Sequence, residues 1–143
     1  MSLQSAMRAK LLADATIAGL VSTRIYGSYA PEGAALPYVT LQQIGGDSEH
    51  SLTGETRLAS AIYQTNAWAA TVDSALAIAD AIRREIAGIR GTWGSGGETA
   101  TVESCLHTNS FYADEDPVDG RMIPAVVGII DEWTIAYIQT PAT

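Results

Sequence analysis

Thr71-Val-Asp-Ser-Ala-Leu-Ala-Ile-Ala-Asp-Ala-Ile-Arg-Arg-Glu-Ile-Ala-Gly88 is the stretch on which the reading of this chain turns. Val72, Ala75, Leu76, Ala79, Ile82 and Ile86 fall on one helical stripe, so the spacing predicts a helix with one buried face. Thr71 is placed to cap its N-terminus, and Asp73 suits the positive end of the helix dipole. Arg83 and Arg84 suit the negative end, and Gly88 stands where a helix stops. Asp80 and Arg84 form an i,i+4 pair worth about 0.3 kcal/mol. The segments on both sides read as strands, so the helix must lie on a sheet.

Towards the N-terminus, Arg57–Trp68 reads as a strand that returns from a long polar loop, 45–56. About a dozen residues is well beyond the 2–5 of an ordinary hairpin, and loops of that size are often functional. Before it, Tyr38–Ile44 alternates as a half-buried strand, entered through the proline-bounded loop 30–37. Ile25–Tyr26 is a brief strand. Leu3, Met7 and Leu11 with Ala6 predict a first helix over Leu3–Ala13, and Asp14 caps a shorter one carrying Ile17, Leu20 and Val21.

Towards the C-terminus, Gly91–Gly97 reads as a flexible connector with a small strand around Trp93. Thr99–Tyr112 is a Thr/Val-rich strand, and Arg121–Gln139 alternates with Val127, Ile129, Trp133, Ile135 and Tyr137 on one face. Asp131 interrupts that face, and Pro124 with Gly128 suggests an edge strand or a bulge. A hairpin over 99–139 would reach about 45 Å, against a radius of gyration of about 14 Å for such a domain. It is expected to project or to bend. The whole predicts one α+β domain over 1–143: an antiparallel sheet, two main helices on one face, and a long C-terminal β-hairpin.

The chain has 143 residues, 8 Lys+Arg and 16 Asp+Glu, for a net charge of −8. Length and a 47% hydrophobic content allow one real core and exclude wholesale disorder. The acid is uneven. Residues 1–97 carry 8 acids and 7 bases, whereas residues 98–143 carry 8 acids and only Arg121. This excludes a basic domain that grips nucleic acid. No apolar run spans a membrane, and Met1–Lys10 lacks the apolar stretch of a secretory signal.

Motifs for chemistry are weak. Trp93 stands where a nucleophile elbow needs glycine, and no lysine follows Lys10 to complete a phosphate loop. His50 and His107 lack metal spacing, so neither a metal nor a cofactor is expected. Cys105 and His107 share a strand face and leave a small thiol enzyme as an alternative. Asp114, Glu115, Asp116 and Asp119 lack the order of a calcium loop and read as a solvated hairpin tip. Trp68, Val127, Ile129, Trp133 and Tyr137 are the candidates for a subunit contact.

Several pieces stand in a distinctive order: Leu11-Leu12-Ala13-Asp14, Arg24-Ile25-Tyr26, and Ala30-Pro-Glu-Gly-Ala-Ala-Leu-Pro-Tyr-Val39. Leu41-Gln42, Trp68-Ala-Ala-Thr71 and Ala79-Asp-Ala-Ile-Arg83 complete the series. Together they resemble the tail-completion family of long-tailed phages and phage-like particles. The last third departs from the family pattern, being longer and more apolar over Arg121–Trp133.

The resemblance implies an α+β virion subunit made in the bacterial host cytoplasm, without catalysis or cofactor. It implies a closed ring of copies, six-fold, that ends the tail tube, meets the tube protein and joins a head-side connector. A neck adaptor ring is the alternative within the same class. DNA would pass through without being held, and Asp47, Glu49 and Glu55 of the polar loop are the acids expected to face the channel or the tube. Six copies would bring about −48 charges to such a ring, a field that favours sliding over adhesion.

Overall fold

Two helices, α1 (Leu3–Leu12) and α2 (Ala15–Val21), precede strands β1 (Ile25–Gly27), β2 (Tyr38–Ser48) and β3 (Leu58–Ala69), and helix α3 (Val72–Ile86) is followed by strands β4 (Gly91–Ser95), β5 (Glu98–Asp114) and β6 (Val127–Ile138). The structure, a computed structural model, describes residues 3–27, 30–31, 33–48, 58–95, 98–114 and 126–138. The six strands make one sheet in the order β1-β2-β3-β6-β5-β4. Every neighbouring pair is antiparallel except β1 and β2, which run parallel. The expected purely antiparallel sheet is therefore a mixed one. The connection 28–37 carries the chain back to the start of β2, where Val39 N–H donates to Arg24 O at 2.9 Å and Arg24 Nε to Pro37 O at 2.9 Å.

Capping is as the side chains dictate. Thr71 Oγ1 accepts from Ser74 N–H at 3.2 Å, and Asp14 Oδ2 accepts from Ile17 N–H at 3.0 Å. The buried stripe of α3, however, is Ala75, Ile78, Ala79, Ile82 and Ile86 with Ala81, while Val72 is exposed. The helix is turned by about 50°, half of the ~100° step per residue, from the face read off the sequence. Arg83 lies on the flank of that face, and its long side chain reaches in to Asp131.

The core lies between the helices and one sheet face. Leu3, Ala6, Met7 and Leu11 of α1 and Ile17 and Val21 of α2 meet the sheet together with α3. On β3 the helix-facing row is Ala59, Ala61, Tyr63, Thr65, Ala67 and Ala69, all buried. The alanines let α3 approach the sheet closely. On β6 the same row is Ile129, Asp131, Trp133 and Ile135, paired in register with Ala67, Thr65, Tyr63 and Ala61.

The small strand expected around Trp93 is present, and of the two shapes expected for the hairpin the bent one holds. Trp93 belongs to β4 and is 1% exposed, so the Gly-rich stretch is an edge strand that inserts an indole into the core. The described strands of the C-terminal hairpin do not project from the sheet. β6 pairs with β3 along its whole length, from Ala69↔Val127 to Leu58↔Ile138, and lies at the centre of the sheet. β5 bends through register shifts between Val102 and Ser104 and between His107 and Asn109.

Candidate functional site

Asp131 is the charged residue at the heart of this arrangement, 1% exposed on the helix-facing side of β6. Its Oδ1 accepts from Arg83 Nη2 at 2.8 Å and from His107 Nε2 at 2.9 Å. Arg83 also donates to Ser110 Oγ at 2.9 Å and to Asp80 Oδ1 at 3.2 Å. One helix and two strands are thereby tied at one carboxylate. The hydrogen bond to Asp131 raises the Arg83 pKa above its ordinary value, so the guanidinium stays charged. Asp131 Oδ2 and Arg83 Nε have no hydrogen-bond partner among the described residues. Asp131 thus joins Arg83 and His107, 48 and 24 residues away in sequence, which the interruption of the apolar face could flag but not pair.

Chemistry at Cys105 does not follow. The thiol is fully buried, and that burial pushes its pKa up to about 12, far from the thiolate a nucleophile needs. His107 turns to Asp131, and its ring lies 4.8 Å from that of Trp133. Two surface clefts, of about 210 Å³ beside Lys10 and Glu85 and about 280 Å³ beside Asp14 and Arg84, contain none of these groups. No group of three or more His, Cys, Asp or Glu able to hold a metal occurs among the described residues. No described helix is long and apolar enough to cross a membrane.

The residues expected at a subunit contact divide. Ile129 and Trp133 are 2% and 0% exposed within the subunit, and Trp133 Nε1 donates to buried Thr65 at 2.9 Å. They build the core and leave no surface for a neighbour, which corrects the expectation for these two. Val127 and Tyr137 are half-buried at the ends of the same row. Trp68 is half-buried on the opposite, helix-free face, where it covers Gly128 and donates weakly to Thr40 Oγ1 at 3.4 Å.

Of the acids, Asp47 lies in β2 opposite Ser60, so the predicted loop begins later than expected. Asp114 ends β5 opposite Val127. Glu49, Glu55, Glu115, Asp116 and Asp119 lie outside the described residues.

The helix-free face was not anticipated. Across β2, β3, β6 and β5 its register rows are Thr40–Asn66–Ile130–Phe111, Gln42–Gln64–Glu132–Asn109 and Gly45–Ile62–Thr134–Leu106. These rows hold one acid and no Lys or Arg. The described bases lie instead on or beside the helices: Arg8, Lys10, Arg24, Arg83, Arg84 and Arg90. Alternation was visible in each strand, but bulges in β2 and β5 shift the parity partway along, so the rows cannot be assembled from sequence alone.

Fold and surface define a chain with one layer of helices on a mixed sheet whose other face carries no described helix. The family model described as Tail completion protein gp17 matches residues 5–104, and the chain belongs to that family. It is accordingly a structural protein of a phage tail. A chain in the solved structure of the "virion of native gene transfer agent (GTA) particle" is similar over 96% of this chain and 96% of that chain, at 18% identity and a TM-score of 0.70. At that identity the likeness is one of fold, and it extends past residue 104 through the hairpin where the sequence departs from the family pattern. No curated protein sequence matches the chain.

Proposed function

We propose that copies of this chain close into a ring at the end of a tail tube, ending the tube and joining it to the head-side connector. The observation that carries this reading is the tail-completion match over residues 5–104. The ring is six-fold and lies in the virion, assembled in the host cytoplasm before the head is joined. Its partners are its own copies, the tube protein and the connector, and it has no catalytic role. DNA passes through without being held. A net charge of −8 per subunit supports that passage, because a channel without fixed cations releases no counterions on contact with phosphate and so gains nothing by holding DNA.

Asp47, Glu49 and Glu55 face the channel or the tube. Trp68, Val127 and Tyr137 supply part of the contact between copies. The acidic side chains of Asp114, at the end of β5, and of Glu115, Asp116 and Asp119 beyond it stay in solvent. Electron microscopy of particles made without the chain tests the reading. Filled heads lying apart from tails are expected, whereas normal numbers of joined particles would overturn it.

A further inference from the structure

Both outer strands of the sheet are too short to cover their neighbours. β1 pairs with only Val39–Leu41 of β2, and β4 with only Glu98–Val102 of β5. Beyond Gly88 N–H, which donates to Cys105 O at 2.8 Å, no described strand or loop backbone pairs with the outer edge of Leu106–Asp114. The same holds for the outer edge of Gln42–Ser48. Each run satisfies a backbone group of its own with a neighbouring side chain: Gln43 Nε2 donates to Gly45 O, and Asn109 Oδ1 accepts from Ser110 N–H. Neither run contains the lysine or proline that usually guards an open edge. Large exposed apolar side chains gather there instead: Ile44 at 43%, Leu106 at 57%, Phe111 at 39% and Tyr112 at 66%.

We infer that the copies join edge to edge, the Leu106–Asp114 run of β5 in one pairing with the Gln42–Ser48 run of β2 in the next. This rests on the ring reading above and names its interface. β5 and β2 run in opposite directions within the sheet, so a copy placed side by side in the same orientation offers an antiparallel partner. The two runs are diagonally placed. Register sets Ser110 level with Leu41, about four residues from the middle of the β2 run.

That stagger is about 12 Å, against about 19 Å for the four strands from β2 to β5. A strand tilt of about 30° from the ring axis cancels it, close to the 35–45° at which sheets close on themselves. β1 and β4 then lie above and below the joint without colliding. The contact is head-to-tail, the kind that generates rings.

The test uses single cysteines placed at 42–46 in one sample and at 108–112 in another; native Cys105 is buried and does not compete. Under oxidation, alone at high concentration and on isolated tail tubes, mixed samples are expected to cross-link at least tenfold more than either sample alone. Leu106→Lys and Tyr112→Lys, both at exposed positions, are expected to lower ring yield at least tenfold while circular dichroism and Tm stay unchanged. Rings that form without mixed cross-links and tolerate both lysines would overturn edge pairing and leave the ring reading standing. An absence of rings, alone and on tubes, would overturn both.

Discussion

Asp131 sits where an apolar side chain would be expected, between Ile129 and Trp133 and under Arg83. Removing a charge from water costs several kcal/mol, and the pair recovers this only while both partners remain. Arg83→Met leaves the buried carboxylate to His107 alone and is expected to cost about 3 kcal/mol in urea unfolding. Arg83→Met with Asp131→Leu should recover most of that loss, because the uncompensated charge disappears with its partner. Cys105 gives a separate test at high pH. Its folded pKa is raised from 9.0 to about 12 by burial, so both states keep the proton below pH 9. Between about 9 and about 12 only the unfolded chain releases it, and stability falls by about 1.4 kcal/mol per pH unit from this group. Tyr63, raised to about 12 chiefly by burial, adds to the fall above pH 10. Cys105→Ala should flatten the alkaline limb of a stability–pH curve, and a slope that persists unchanged would place its origin elsewhere.

Trp68 and Gly128 show what strand pairing adds to composition. They face each other across β3 and β6, and a Cβ on Gly128 would lie 2.6 Å from Trp68 Cζ3. The glycine therefore marks the seat of an indole on a central strand, not the edge position its sequence suggests. Gly128→Ala alone should destabilise by about 1–3 kcal/mol, since the indole must move. In a Trp68→Ala background the same change should be neutral or stabilise by about 0.5–1 kcal/mol, as alanine replaces glycine in an open strand. Additive losses in that cycle would refute the contact. Most elements were legible because each follows from its own residues: the caps at Thr71 and Asp14, the alternation over 127–137, and the end of α3 before Gly88. What was not legible depends on partners far along the chain. A small strand around Trp93 was legible, but the burial of its indole was not, and the face of α3 depends on the sheet beneath it. The parallel β1–β2 pair depends on a return path that neither strand encodes.

At the scale of the whole molecule, charge and fold point to the same use. The chain carries −8, and the described bases lie on or beside the helices while the helix-free sheet face holds none in its three register rows. Strands β5 and β6, which carry Glu98, Glu103, Asp114, Asp131 and Glu132 of the acidic last third, are paired into the same sheet as β3. Each acid-to-lysine change shifts the subunit by two charges, so Asp47→Lys, Glu49→Lys and Glu55→Lys together take it from −8 to −2. If these three face the channel, every ring gains a band of closely set cations. Counterion release then makes duplex DNA adhere, with affinity falling by about 10³–10⁵ between 50 and 200 mM salt where six to ten phosphates are neutralised. Rings of the reversed variant are expected to retain DNA in filter binding at 50 mM salt and to lose it at 200 mM, while rings of the native chain retain none at either. The same three changes placed on the outer surface would leave most phosphate contacts unmade. A reversed ring that stays indifferent to DNA at 50 mM salt would therefore remove these acids from the channel, and a native ring that holds DNA would overturn the idea of a lining that lets it slide.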